Sequence, residues 1–262
     1  DRLFQMDFLR RRGLGQLSEL LGASHLELDR TARVVGLHRI AEAQWHELSD
    51  DVQLALQRFA DGVNHVVDDL GHLPPIEYSL LDTSPRPWTP IDSIACEVEF
   101  QWYLTGRFPI ICIPELVRRA VGDTALYEQF ICGEAEDESI LSVGSYPPVP
   151  SSTSEPIGET FTPPNEGNGS NNWAVSGTRS ASGVPMVASD PHIAIAANSS
   201  WYEARLKCPE YDVAGMAYVG MPALMFGRTP GVGWSITNNM CSLRDLYQET
   251  RSEDHPNCFL YN

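Results

Sequence analysis

The sequence predicts an α+β fold, because helical and strand-like segments are separated along the chain instead of alternating. Residues 1–141 of the 262-residue chain carry apolar residues mostly at helical spacing. Residues 142–169 are dense in Pro, Ser, Thr and Gly, which favours a linker or exposed loop. Residues 170–262 contain short, turn-bounded runs of β-formers, which predict strands.

The predicted helices have recognisable ends. One helix covers about residues 26–48. Ser49, followed by two aspartates, is typical of the start of the next helix, which stops near Gly71. Pro114 fits the first position of a later helix, and Gly122 fits the position after its end. The predicted strands are NNWAVSG, VPMVAS, GMAYVGM, ALMFGRT and VGWSITNN.

The composition argues against two kinds of partner. The formal net charge is −17, which opposes binding to nucleic acid or anionic lipid, because both need a basic surface. No apolar run approaches the roughly 18 to 20 residues that are needed to cross a bilayer. We therefore expect neither nucleic acid nor a membrane as a partner.

Several common catalytic motifs are absent from the sequence. It contains no GxSxG nucleophile elbow, no GxxxxGK[ST] phosphate loop and no GxGxxG dinucleotide loop. The six cysteines include no CxxC pair of the kind that zinc sites use. Their roles stay open between buried free thiols, one or two disulfides and a nucleophilic cysteine.

The stretch GNGSNNWAVSG, residues 167–177, places a serine where the polar segment ends and the strand pattern begins. A serine hydroxyl is a weak nucleophile unless a base takes its proton. If the chain were cut before Ser170, the new α-amino group, with a pKa of about 8, would be a base on the same residue. Gly169 lacks a Cβ and can adopt a strained conformation that attack by Ser170 would relieve. The alternative is a plain junction between loop and strand.

Longer motifs carry a resemblance to a known family. In the second half they are GSNNWAVSG, DPH, YDVAGMAYVGMPALMFG and GWSITN, and in the first half DRLFQMDFLRRRGLGQLSELLG, ADGVN and PWTPIDS. In this order they cover essentially the whole chain, which resembles the penicillin amidase family of N-terminal nucleophile hydrolases. The resemblance implies an αββα fold, with two antiparallel sheets between helical layers, that is incomplete in this chain.

The resemblance also implies an activity. Members of the family are made as inactive precursors that cut themselves before the serine and work as α/β heterodimers. They hydrolyse the amide bond of an acylated small molecule through an acyl-serine intermediate, and catalysis requires no cofactor. Residues 1–141 would then belong to the α chain, residues 142–169 to a spacer, and Ser170 would begin the β chain. By the same analogy we expect a periplasmic or secreted protein.

Further site residues follow from the resemblance. His192 matches a residue beside the α-amino group of the nucleophile; histidine there is typical of cephalosporin and acyl-homoserine lactone acylases, and glutamine of penicillin G acylases. Asn238 matches the position whose backbone N–H forms part of the oxyanion hole, and Trp234 and Thr237 would shape that wall. The alternative for His192 is a structural histidine that is hydrogen-bonded within a DPH turn. The alternative for Trp234 and Thr237 is that they are ordinary core residues.

A structural calcium ion is also implied by the resemblance. Glu115 and Asp245 match two of its ligand positions, but a third, usually an aspartate, is Ser242 here. Calcium prefers several charged oxygen ligands, so this departure weakens the match. The alternative is that both carboxylates are simply solvated.

Two other classes of function stay open at this point. One is a non-catalytic homologue or inactive fragment that only binds acyl ligands, and the other is a structural α+β domain. The family has an asparagine and an arginine of the active site downstream of residue 262, and a strand and a helix before residue 1. We therefore expect the chain to be a segment of a longer protein that does not turn over substrate by itself.

Overall fold

The computed structural model describes residues 2–71, 73–105, 108–132, 169–193, 200–238, 247 and 249–260. The chain divides into two compact units. The first contains Asp1–Leu104 and Pro164–Asn239, and the second contains Thr105–Pro163 and Met240–Asn262. Within the described ranges, no helix combines the length and the apolar character that a membrane span requires.

The helices precede the strands along the described chain. The helices are α1 (Leu3–Leu14), α2 (Ser18–Leu21), α3 (Leu26–Val35), α4 (Leu37–Glu47), α5 (Asp50–Leu70), α6 (Ile76–Leu80), α7 (Pro90–Thr105), α8 (Phe108–Val121) and α9 (Ala125–Cys132). The strands are β1 (Ser170–Val175), β2 (Met186–Pro191), β3 (Trp201–Lys207), β4 (Asp212–Tyr218), β5 (Leu224–Arg228) and β6 (Gly233–Trp234). β1 and β2 form an antiparallel hairpin, and β3 to β6 form an antiparallel sheet in chain order. The α+β prediction is therefore confirmed.

Two helix predictions are wrong in detail. The single helix expected over residues 26–48 is split at Gly36, whose φ of 84° is left-handed and ends α3. Pro114 lies inside α8 instead of at its first position, because that helix begins at Phe108. Gly122 does follow the helix end, with a φ of 70°. α5 begins after Ser49, as predicted.

Strand β3 was not predicted from the sequence. In WYEARLK, the apolar residues Tyr202, Ala204 and Leu206 alternate with charged ones, which is the period of a half-buried strand. β3 pairs along its whole length with β4, from Trp201 opposite Tyr218 to the other end of the strand. The alternating pattern was therefore present in the sequence, but it spans only 7 residues, and the pairing with β4 is what identifies it as a strand.

Helix α7 lies between the two apolar clusters of the first unit. One cluster joins it to α1, α5 and β4, through Phe8, Leu9, Leu17, Ala60, Trp88, Cys96, Phe100, Tyr218 and Val219. The other joins it to α3, α4 and α5, through Ala32, Leu37, Ala41, Leu56, Ile94, Ala95 and Val98. The ring of Phe100 stacks on that of Tyr218 with centroids 4.2 Å apart. α7 is thus buried between the two clusters, one of which packs it against β4 of the sheet.

The start of α7 is fixed by hydrogen bonds as well. Asp92 Oδ2 accepts from the backbone N–H of Thr89 at 2.7 Å and from its hydroxyl at 2.9 Å, which caps the helix. The side chain of Asn64 bonds both backbone groups of Trp88, at 2.6 and 2.9 Å. Arg10 donates to Asp92 at 3.4 Å. The first turn of α7 is therefore held by α1 and α5.

A buried ion pair links α1 to α7. Arg12 Nε lies 2.8 Å from Glu99 Oε1, and the side chain of Glu99 is 3% exposed. The hydroxyl of Tyr218 in β4 donates to the other oxygen of Glu99 at 3.4 Å. Burial raises the pKa of Glu99, and the charge of Arg12 and the hydrogen bond from Tyr218 offset part of this rise. The helices and the sheet thus share one buried carboxylate.

Candidate active site

The β1–β2 hairpin places Ser170 at the first position of a strand. Ser170 lies opposite Pro191 in the antiparallel register, and Asn171 lies opposite Asp190. The ladder continues one residue beyond the strands, because the backbone N–H of His192 donates to the carbonyl oxygen of Gly169 at 3.0 Å. The peptide group between Gly169 and Ser170 is therefore held in the hairpin by a hydrogen bond to its carbonyl.

His192 lies beside Gly169, but its imidazole contacts other side chains. Nε2 lies 2.9 Å from Asp190 Oδ2 and 3.4 Å from Asn171 Nδ2. Residues that are adjacent along a strand point to opposite faces. The imidazole therefore shares the face of Asn171 and Asp190, and Ser170 points to the other face. The sequence analysis missed Asn171 and Asp190, although their places follow from strand alternation once the register is known.

The bridge between His192 and the amino group of Ser170 stays a prediction. In the uncut chain this nitrogen is part of a peptide bond, so no free amino group exists for the imidazole to contact. The hydrogen bond to Asp190 agrees with the structural alternative for this histidine.

The predicted strain at Gly169 does not take the form of a left-handed backbone. Gly169 is not among the described glycines with positive φ. A Cβ built at this position meets no atom of a described residue within 4 Å. Neither steric space nor backbone conformation in the described part of the chain therefore requires glycine here.

The segment that ends at Asn238 runs beside the hairpin. A Cβ built at Gly233 in β6 would lie 3.4 Å from Cγ2 of Val187 in β2. The indole N–H of Trp234 donates to the carbonyl of Leu224 at 3.4 Å. The side-chain amide of Asn238 donates to the carbonyl of Leu104 at 3.1 Å. Trp234 and Asn238 are half-buried and Thr237 is exposed, so this segment is anchored at both ends.

Of the three positions at the predicted calcium site, the structure describes only Glu115. Both oxygens of Glu115 are occupied by α8 arginines: Arg118 Nε lies 2.8 Å from Oε2, and Arg119 Nε lies 2.7 Å from Oε1. Hydrogen bonds from Arg118 and then Arg119 lower the pKa of Glu115 to about 2. Asp245 and Ser242 lie outside the described residues. Within the part of the chain that is described, no group of three His, Cys, Asp or Glu side chains is arranged to hold a metal ion.

We expect added calcium to leave the thermal midpoint unchanged within about 1 °C, because Arg118 and Arg119 compete with the ion for both oxygens of Glu115 and only a bound ion adds stability. The measurement is thermal unfolding of the protein in calcium and in EDTA. A saturable rise of several degrees that Glu115→Gln removes would contradict this expectation. It would show that calcium displaces Arg118 and Arg119 from the carboxylate.

Four described cysteines are free thiols. Cys96 is buried, Cys112 and Cys208 are half-buried and Cys258 is exposed. Burial raises the pKa of the Cys96 thiol, which is the opposite of the shift that a nucleophilic thiolate needs. All four are therefore free thiols, but the expectation of buried free thiols holds only for Cys96.

The fold and the site together define an α+β protein whose candidate nucleophile begins an antiparallel hairpin. The penicillin amidase family matches residues 1–262. The chain belongs to this family.

Two curated relatives match nearly the whole chain. Penicillin acylase 2 proenzyme of Pseudomonas sp. (strain SE83) is 28% identical over an alignment of 267 positions that covers 97% of this chain and 34% of that protein. Acyl-homoserine lactone acylase QuiP of Pseudomonas aeruginosa is 28% identical over an alignment of 258 positions that covers 95% of this chain and 30% of that protein. The chain thus spans about a third of the length of these relatives.

Among solved structures, the chain is similar to the thermostable penicillin G acylase from Alcaligenes faecalis. The TM-score is 0.43 at 23% sequence identity, and the match covers 54% of this chain and 80% of that one.

Proposed function

We propose that the chain is part of an acylase precursor that cleaves itself before Ser170 and then hydrolyses the amide bond of an acylated small molecule. The observation that carries the proposal is the Gly169–Ser170 junction at the start of a β-hairpin, in a chain that belongs to the penicillin amidase family. The relative named as a proenzyme supports a precursor.

The first reaction is an acyl shift within the chain. Ser170 Oγ attacks the carbonyl carbon of Gly169, the C–N bond to Ser170 breaks, and the proton of the hydroxyl passes to the departing nitrogen. Water then hydrolyses the resulting ester and frees a chain that begins with Ser170. The N–H of His192, 3.0 Å from the Gly169 oxygen, is in place to stabilise the negative charge that develops there.

The second reaction uses the same serine on substrate. The free α-amino group of Ser170 takes the proton of Oγ as Oγ attacks the carbonyl carbon of the substrate. The C–N bond of the tetrahedral intermediate then breaks, the ammonium group gives the proton to the leaving nitrogen, and an acyl-serine ester remains. The backbone N–H of Asn238 donates to the oxyanion of the tetrahedral intermediate. Water then releases the acid and restores the serine. Residues 142–169 would be lost as a spacer, which leaves an α/β heterodimer. The proposal also includes the αββα layering of the fold and a periplasmic or secreted location of the protein.

We expect Gly169→Ala to cleave itself at a rate within about threefold of wild type. Loss of a stored backbone strain of about 1–3 kcal/mol would change the rate by roughly 5- to 160-fold. The described residues leave room for a Cβ and show no left-handed φ at this position. The measurement is the rate at which the precursor band disappears after refolding.

The matched control is Gly177→Ala, in which the new Cβ would lie against the backbone carbonyl of Gly183. This variant should disturb the loop of the hairpin and slow processing. Slowing of more than fivefold in Gly169→Ala, without loss of folding, would instead show that the glycine stores strain.

Release of a primary amine from N-acyl substrates tests the proposed reaction. The protein expressed from the complete gene is offered N-acyl homoserine lactones, penicillins and acyl cephalosporins, and the free amine is quantified. Release of amine and acid in equal amounts from any of them supports the proposal. Binding without release would indicate a homologue that has kept the fold and lost the chemistry.

A further inference from the structure

The side chain of Asn238 makes a contact that its assigned backbone role does not require. Its amide Nδ2 donates to the carbonyl oxygen of Leu104 at 3.1 Å, across 134 residues of sequence. Leu104 is in the last turn of α7. The last four carbonyls of a helix have no partner within the helix. The Asn238 amide therefore gives one of these carbonyls a donor from outside the helix.

Helix α7 is a rigid anchor for this contact. Its first turn is capped by Asp92 and is held by Arg10 and Asn64. Ala95, Cys96 and Glu99 in its middle are almost completely buried. A partner bonded to the end of this helix is therefore fixed relative to the core of the first unit.

The opposite end of the same segment is fixed to the sheet. Trp234 pairs with Gly227 in the β5–β6 ladder, and its indole N–H reaches the carbonyl of Leu224. Between Trp234 and Asn238 lie only three residues. The segment is thus attached to the sheet at one end and to a helix at the other.

We propose that the carboxamide of Asn238 is a positioning group, which orients its own backbone N–H by tying this segment to α7. The inference rests on the proposed function, in which that N–H donates to the oxyanion. An oxyanion donor acts at about 2.7–3.1 Å, and a misplacement of about 1 Å can lower a rate on the order of 100-fold. The side chain of residue 238 then affects kcat, although the group that contacts the oxyanion is the backbone N–H.

Two isosteric or near-isosteric variants separate this role from simple loss of packing. Asn238→Asp keeps the size of the side chain but sets a carboxylate oxygen against the Leu104 carbonyl, so two acceptors face each other. Asn238→Gln keeps the NH₂ donor on a longer side chain. We expect kcat to fall on the order of 10- to 100-fold in Asn238→Asp, with KM within about threefold and a smaller loss in Asn238→Gln.

The tether itself is tested without activity, in the uncut full-length Ser170→Ala background. Hydrogen exchange is measured by mass spectrometry for peptides covering residues 233–238 and for the β3–β4 region. We expect Asn238→Asp to speed exchange in residues 233–238 by roughly 5- to 10-fold, as the loss of one hydrogen bond allows. β3 and β4 should not change.

The exchange rates and kcat together separate the tether from its role in catalysis. Unchanged exchange in residues 233–238 would overturn the tether, and faster exchange with unchanged kcat would overturn its role in positioning the N–H. An inactive wild-type protein would overturn the proposed function and the catalytic part of this inference together. The exchange experiment would still decide whether the Asn238 amide holds the segment.

Discussion

Replacing Ser170 by alanine is expected to leave the full-length chain uncut and to abolish amide hydrolysis. The variant loses the oxygen that attacks the Gly169 carbonyl, so no free amino group forms. Removal of a catalytic serine nucleophile lowers kcat by a factor on the order of 10⁴ to 10⁶. Gel analysis gives the extent of cleavage, and amine release from the best substrate gives the rate.

The matched control for this variant is Ser182→Ala. The hydroxyl of Ser182 is exposed in the hairpin loop and bonds only local groups, including Ser180 Oγ at 2.8 Å. This variant should cleave itself and turn over substrate as wild type does. Hydrolysis by Ser170→Ala within tenfold of the wild-type rate would contradict the role of Ser170 as nucleophile.

Arg12→Ala is expected to cause the largest loss of stability. Glu99 then stays buried without its cation, at the junction of α1, α7 and β4. Removing one partner of a buried ion pair lowers the free energy of unfolding by roughly 3–5 kcal/mol. Urea unfolding of the Ser170→Ala background with and without Arg12→Ala measures this difference on an uncut chain.

The loss of stability in Arg12→Ala should become smaller as the pH falls. The pKa of Glu99 is raised in the folded chain, so this carboxyl stabilises the fold below its unfolded pKa of about 4.3 and loses that contribution as the pH rises through its folded pKa. Without Arg12 the pKa rises further. The effect of Arg12→Ala should therefore be smaller at pH 5 than at pH 7.5.

An exposed ion pair provides the control. Arg30 lies 3.8 Å from Glu27, and both side chains are mostly exposed. Arg30→Ala should leave the unfolding midpoint unchanged, because solvent screens such pairs. Equal losses in Arg12→Ala and Arg30→Ala, or a loss in Arg12→Ala that grows as the pH falls, would contradict the buried-pair account.

Local patterns of the sequence predict the class of the fold and the start of the hairpin. Separated helical and strand periods predict α+β, and GNGSNNWAVSG places the start of β1 at Ser170. The split at Gly36 was missed because a lone glycine inside a helical pattern does not reveal its φ, which depends on how α3 and α4 pack. A short strand such as β3 can be assigned only once its pairing with a neighbouring strand, here β4, is known.

The contacts around the candidate site were harder to predict. The bond between Asn238 and Leu104 joins residues 134 positions apart, so no local pattern indicates it. The Gly169 carbonyl meets the His192 N–H only through the hairpin register. The resemblance implies Glu115 as a calcium ligand, and this stays a prediction; in the described chain its oxygens bond Arg118 and Arg119 of the same helix.

The central claim is that Ser170 becomes the first residue of a chain. Intact mass and N-terminal sequencing of the protein expressed from the complete gene test it most directly. We expect two chains, one of which begins SNNWAV, and a single uncut chain in Ser170→Ala. A wild-type protein that folds and stays as one chain, or is cut elsewhere, would contradict the account.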